Sequence, residues 1–128
     1  MKNLTKTLLI LALSGLFAQS AMAQGDPIEA ALKQIADIVA SINHFPSDAD
    51  KATLAEISGD MQFPDQLRGM ADAVANISHA ASAEGKALMA EIQAGAAPDN
   101  AKQLAGIIAN LNHVPSDDAK ATLAQLFP

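Results

Sequence analysis

Asn43-His44-Phe45-Pro46-Ser47-Asp48 recurs almost unchanged as Asn112-His113-Val114-Pro115-Ser116-Asp117, and a weaker copy, Ser78-His79-Ala80-Ala81-Ser82, lies between them. The three histidines are separated by 35 and then by 34 residues, so the chain contains an internal repeat of that period. A repeat of this length is typical of two helices joined by a short turn. The motif therefore predicts a helical repeat protein.

Each copy of the motif interrupts one amphipathic helical pattern and begins another. In the first repeat, Asp26 and Pro27 have the pattern of a helix start. Apolar residues then recur at the spacing of one helix face, at Ile28, Leu32, Ile35, Ile38, Val39 and Ile42. Pro46 disfavours helical geometry at the residue before it, which predicts that this helix ends at Asn43 and His44.

A second helix is predicted to follow the motif. Ser47 is its expected N-cap, and Gly59 is expected to close it with a left-handed C-terminal cap. The later repeats have the same order: helices open at Pro64 and Pro98, and serine-capped helices follow at positions 82 and 116.

These patterns predict an all-α domain of six helices, arranged as three tandem helical hairpins. The hairpins are expected over about residues 26–59, 63–95 and 97–128. Helical hairpins of this kind form either a small bundle or a short α-solenoid, and the sequence leaves both open.

Seven positions are identical in the three repeats: the histidine, the serine three residues later, a lysine four residues after that serine, and four alanines. The alanine sets are Ala36, Ala71 and Ala105; Ala40, Ala75 and Ala109; Ala52, Ala87 and Ala121; Ala55, Ala90 and Ala124. Small residues three or four positions apart allow two helices to approach closely. All four sets are therefore predicted to lie in helix packing.

The first 23 residues have the pattern of a secretory signal peptide. Lys2 and Lys6 accompany an apolar run that extends from Leu8 to Phe17, and a small-residue cleavage site ends at Ala23. We expect cleavage near Ala23, which leaves residues 24–128 as one exported domain, periplasmic or secreted. No later apolar stretch approaches the roughly 20 residues that a membrane helix needs, so no membrane span is expected.

Composition narrows the classes of partner. After cleavage, six Lys and Arg remain against fourteen Asp and Glu, a net charge of −8. Such an acidic surface repels phosphate, which argues against nucleic-acid partners. The chain has no cysteine, so neither disulfides nor covalently attached haem is expected. Trp and Tyr are also absent, which disfavours sites that stack sugars or bases.

The repeat-equivalent histidines, His44, His79 and His113, have three interpretations. As turn residues, they would donate to the free carbonyls at a helix end and interact with the helix dipole. As metal ligands, three imidazoles with an open fourth position would bind zinc or copper. As a pH-sensitive or partner surface, they would gain charge together near neutrality.

The arrangement of the repeats decides whether a metal site is feasible. In a linear stack the three turns would be about 10 Å apart and could not share one ion. In a closed bundle they would meet at one end. The middle repeat favours a role for the side chain, because it has lost the Asn and Pro of the motif but keeps His79. Met61, Met70 and Met89 are potential soft ligands for copper(I), although the last two lie on apolar helix faces and are expected in the core.

The best candidate in the sequence for a nucleophile with its base is Ser47 with Lys51, four residues apart on a predicted helix. A serine at an N-cap normally bonds backbone N–H groups, and an enzyme rarely carries three copies of its catalytic pair. No glycine-rich phosphate loop or HExxH motif occurs. We therefore expect no catalytic activity.

The leading functional hypothesis from the sequence is an exported helical-repeat interaction protein without catalytic activity. Its expected partner is a periplasmic protein or a small apolar ligand, and the protein itself would be a monomer or a homodimer. The alternative hypothesis is a zinc- or copper-binding or metal-buffering protein that uses His44, His79 and His113.

Overall fold

The computed structural model describes residues 26–128; the predicted signal peptide lies outside the described residues. Residues 31–128 form one compact unit. Residues 26–128 contain six helices: α1 (Pro27–Ser41), α2 (Asp48–Gly59), α3 (Asp65–Ala75), α4 (Ala83–Ala94), α5 (Asp99–Asn110) and α6 (Asp117–Leu126). Apart from three isolated backbone bridges, residues 26–128 contain no β structure. The prediction of an all-α fold with six helices is confirmed.

The serine N-caps of the second helix in each repeat are confirmed. The hydroxyls of Ser47, Ser82 and Ser116 each accept a hydrogen bond from a backbone N–H three residues later, at 3.0–3.1 Å. Each cap satisfies one of the N–H groups that a helix start leaves without an intrahelical partner. The prediction succeeds because a cap depends on a few neighbouring residues only.

Other helix ends differ from the sequence prediction. Asp26 begins α1 as expected, since its carboxylate accepts the N–H of Ile28 at 2.9 Å. However, α1 ends at Ser41, before the predicted end at Asn43 and His44. The left-handed cap at Gly59 is wrong, because Gly59 is the last residue of α2 and the cap is Asp60, with a φ of −84°.

The unit formed by residues 31–128 has one hydrophobic core. Its fully buried side chains include Ile35, Val39, Leu54, Leu104 and Ile108. Met70 and Met89 are also fully buried, which confirms their assignment to the core. No polar or charged side chain among the described residues is buried, so apolar packing is what holds the helices together. Within residues 26–128, no helix has the length and apolarity needed to cross a membrane.

The repeated alanines divide into two groups. On the first helix of each repeat, Ala36, Ala71 and Ala105 are buried, and Ala40, Ala75 and Ala109 are half-buried against the core. On the second helix, the six equivalent alanines at positions 52, 55, 87, 90, 121 and 124 are all exposed. The packing prediction is therefore wrong for α2, α4 and α6. Their inward faces are set by larger residues such as Leu54, Met89 and Leu123.

The closest helix packing joins neighbouring repeats. The contacts of α2 with α3 and of α4 with α5 are the most extensive, whereas α3 with α4 and α5 with α6 share fewer. Short loops connect the closely packed pairs and fold each helix back on its neighbour. Within a repeat, the histidine segment separates the two helices instead. The described helices thus form a bundle, but the hairpin within each repeat is not its main packing unit.

Enlarging a buried alanine and an exposed alanine of the same repeat should show which of the repeated alanines pack in the core. Ala105→Leu places extra carbons in a filled core and should lower the free energy of unfolding by about 1–3 kcal/mol. Ala124→Leu, in the same repeat but exposed, should change it by less than about 0.5 kcal/mol. Urea unfolding of both variants measures the difference. Equal effects at the two positions would contradict the assigned faces.

Candidate metal centre

The three histidine segments meet through their backbones. The amide of His44 donates to the carbonyl of His113 at 2.6 Å, that of His79 to the carbonyl of His44 at 2.6 Å, and that of His113 to the carbonyl of His79 at 2.5 Å. These bonds form a closed ring with one member from each repeat. A linear stack of repeats has no such closure, so residues 31–128 adopt the closed arrangement of the two that the sequence left open.

All three histidines have a positive φ: 75° at His44, 72° at His79 and 70° at His113. In the third repeat, the N–H of Val114 donates to the carbonyl of Asn112 at 2.8 Å, which closes a three-residue turn around His113. A non-glycine residue in such a turn is rare and strained, with a cost of order 1–3 kcal/mol at each position. Glycine would adopt this backbone without that cost.

The occurrence of histidine rather than glycine at three strained positions has to be explained by the side chain. The predicted role as a helix-end residue does not explain it, because each histidine lies beyond the first helix of its repeat. Its backbone bonds go to the other histidines rather than to helix carbonyls. The histidines do lie in turns, but the rings of His44 and His113 bond Asn43 and Asn112, not the helix carbonyls that the turn-residue interpretation proposed. A positive φ that the surrounding structure enforces is more often found where the side chain has a function.

The three imidazole rings lie against one another. Their centroids are 5.0–5.2 Å apart, and their planes meet at 76–88°. One ring nitrogen from each histidine lies within 4.8 Å of the other two. His44 is half-buried, whereas His79 and His113 are exposed. Three potential metal ligands are thus gathered at the surface of the bundle.

The spacing of the ring centroids matches that of a tetrahedral three-histidine site. With zinc–nitrogen bonds of about 2.0–2.1 Å and tetrahedral angles, neighbouring ring centroids would be about 5 Å apart and the ligand nitrogens about 3.4 Å apart. The centroids already have this separation. The ligand nitrogens lie within 4.8 Å of one another, so tilting of the rings would bring them to the separation that an ion requires.

Two asparagines orient the imidazoles. Asn43 Oδ1 lies 2.7 Å from Nδ1 of His44, and Asn112 Oδ1 lies 2.7 Å from Nδ1 of His113. An amide oxygen only accepts, so in a neutral ring this contact requires the proton on Nδ1 and leaves the lone pair of Nε2 free. This is the arrangement in which histidine ligands commonly bind metals through Nε2. The sequence signal was the Asn that precedes His in two copies of the motif, where we predicted only a helix end.

Acidic residues lie in the first turn of each helix that follows a histidine. The first turn of α2 contains Asp48 and Asp50, that of α4 contains Glu84, and that of α6 contains Asp117 and Asp118. Each of these helices begins a few residues after a histidine. Carboxylates so placed raise the local concentration of cations, although none of them belongs to the ligand group itself.

Other candidates from the sequence lie elsewhere. Met70 and Met89 are in the core, and Met61 is exposed beyond the far end of α2. That helix has twelve residues, which is about 18 Å along its axis, so Met61 is not a ligand partner of His44. The Ser47 hydroxyl is engaged in its cap. Lys51 lies over the ring of Phe45, with Nζ 5.9 Å from the centroid.

A groove adjoins the third histidine segment. It has a volume of about 530 Å³ and lies between α5 and α6, next to Asn112 and Val114. Amide side chains from Gln93, Gln103 and Asn110 contribute to its walls, and no charged residue does. The equivalent groove between α3 and α4 is smaller, about 270 Å³, and includes acidic residues in its walls.

Comparison of the chain with models of protein families, with curated proteins and with solved structures found no match.

Substitution of His79 should reveal the strained backbone. His79→Val places a β-branched residue at a φ of 72° and should lower the free energy of unfolding by about 1–3 kcal/mol in metal-free protein. His79→Gly relieves the strain but makes the unfolded chain more flexible, and should change stability by less than about 1 kcal/mol. Urea unfolding compares the two. A valine variant as stable as the glycine variant would contradict an enforced positive φ.

The tautomers of the histidines provide an independent check of the site. Long-range ¹H–¹⁵N NMR of metal-free protein, at a pH where imidazole is neutral, should show protonated Nδ1 and unprotonated Nε2 for His44 and His113. Asn112→Ala removes the acceptor for His113 and should abolish this preference there while leaving His44 unchanged. Protonated Nε2 on both residues in the unsubstituted protein would contradict the assigned hydrogen bonds.

Proposed function

We propose that this protein binds a transition-metal ion, zinc in the first place, through His44, His79 and His113. The observation that carries the proposal is the gathering of one ring nitrogen from each repeat within 4.8 Å. Ring centroids at the separation of a tetrahedral three-histidine site support it further. Metal binding was the alternative hypothesis from the sequence, and the geometry makes it the leading one.

The backbone prepares the ligands before an ion arrives. The closed ring of hydrogen bonds fixes the three histidine backbones relative to one another, and Asn43 and Asn112 orient two of the rings. Because folding has already ordered these ligands, the binding free energy does not have to offset the entropy cost of ordering them. A site on short turns can therefore bind an ion without the support of a buried cavity.

The donor set favours zinc over copper. All three donors are imidazoles, which suit both metals. Copper(I) would gain most from soft sulfur ligands, but the methionines named above are in the core or at the far end of α2. The three-fold placement of the rings also resembles a tetrahedron more than the tetragonal geometry of copper(II).

The compartment is part of this proposal. The signal-peptide pattern of residues 1–23 supports export to the periplasm or beyond. Two of the three histidines are exposed, and an exposed site exchanges its ion more readily than a buried one. These features favour a role in binding and buffering metal outside the cytoplasm, without catalysis.

One observation favours the other hypothesis, an interaction protein. The groove between α5 and α6 has no charged residue in its walls although the chain is strongly acidic. Its amide groups and the apolar side chains of Ile107 and Val114 suit an uncharged ligand or peptide. Binding in this groove would not require a metal.

Zinc titration followed by calorimetry tests the metal proposal. For the protein purified after export and stripped with chelator, we expect one zinc ion per chain. Zinc at about 100 times its dissociation constant should stabilise the fold by about 2.7 kcal/mol, and chelator should reverse this. His79→Gly should abolish the site without unfolding the protein. Ala80→Gly, a glycine substitution at the next residue, should leave zinc binding unchanged.

Two results would overturn the proposal. The first is the absence of saturable zinc binding in the unsubstituted protein, with stability indifferent to chelator. That result would leave the interaction hypothesis and its uncharged groove. The second is undiminished binding in His79→Gly, which would show that the three histidines do not act together.

A further inference from the structure

We propose that a metal ion held by His44, His79 and His113 keeps one coordination position open to solvent, and that this position binds a small monodentate anion. This inference rests on the metal-binding function proposed above. It adds a ligand class to that site and makes the site a receptor for anions as well as for the ion.

The number of available protein ligands leaves a position free. Among the described residues, the group that converges here contains three histidines and no carboxylate. The acidic residues in the first turns of α2, α4 and α6 are outside that group, and the methionines are remote or buried. Zinc and cobalt(II) take four ligands in tetrahedral sites. The fourth ligand must therefore come from solution.

The open position is accessible to solvent. Nε2 is the ring nitrogen farther from the backbone, and the hydrogen bonds that Nδ1 donates to Asn43 and Asn112 leave Nε2 free in the neutral rings of His44 and His113. An ion held by Nε2 atoms is bound at the end of each ring that is farther from that residue's own backbone. His79 and His113 are exposed, so solvent and small solutes reach this side directly.

Charge determines the class of the fourth ligand. Three neutral imidazoles leave both positive charges of a divalent ion uncompensated, because no carboxylate joins the set. An anion in the fourth position lowers this charge, and a bound water would lose a proton more easily for the same reason. The acidic groups at the helix starts nearby repel large or highly charged anions by the same electrostatics. A small singly charged anion with one donor atom is the best fit.

Cobalt(II) in place of zinc makes the fourth position visible. The protein purified after export, stripped and loaded with one cobalt per chain, should show the intense visible absorption of a tetrahedral site. Titration with azide should then shift the bands and saturate at one azide per cobalt, and dialysis should restore the original spectrum. Metal analysis after desalting shows whether cobalt stays bound throughout.

The control variants separate this position from cobalt elsewhere on the surface. Ala80→Gly keeps all three ligands and should give the same bands and the same azide shift. His79→Gly removes one ligand and should lose the tetrahedral spectrum and its saturable shift together.

The outcomes distinguish the two proposals. If cobalt stays tightly bound and its spectrum does not change in a large excess of azide, the open position is overturned but the metal site is kept. Loss of cobalt on addition of azide, without a bound intermediate spectrum, would also overturn it. Failure of the protein to bind cobalt or zinc at all would overturn the metal-binding function and this inference with it.

Discussion

Three backbone hydrogen bonds, each from the amide of one repeat's histidine to the carbonyl of another's, are the constraint on which the arrangement of this protein depends. They join segments that are far apart in the sequence and satisfy N–H and C=O groups that the helices leave outside their own ladders. Because the ring is closed, the first and third repeats contact each other as directly as neighbours do. The second helix of each repeat then begins at a fixed distance from this ring.

The ring explains why the histidine turns are strained. To face the other two repeats, each turn adopts a φ between 70° and 75°, which glycine would adopt more easily. The cost falls on the same residues whose imidazoles are gathered at one point. Backbone and side chain therefore serve different purposes at each position: the backbone closes the bundle, and the side chain provides a ligand.

Predictions from local patterns succeeded and those that needed the partner helix did not. Ser47, Ser82 and Ser116 are caps as expected, because a cap involves residues three positions apart. The alanines of α2, α4 and α6 were predicted to pack but are exposed. That prediction failed because repetition alone does not show which face of a helix a neighbour covers. Gly59 is an exception among the local predictions: it is the last residue of α2, and the residue that caps the helix is Asp60, with a φ of −84°.

The sequence by itself determined the six helices, their repeat and the candidate ligands. Helix periodicity, caps and identity between repeats can all be recognised in short stretches of chain. Only the tertiary structure decided that the repeats close on themselves and bring His44, His79 and His113 together. Closure depends on hydrogen bonds between residues tens of positions apart and on a positive φ that a histidine in a sequence does not by itself predict. The orientation of two imidazoles by Asn43 and Asn112 was likewise visible only once the turn geometry was known.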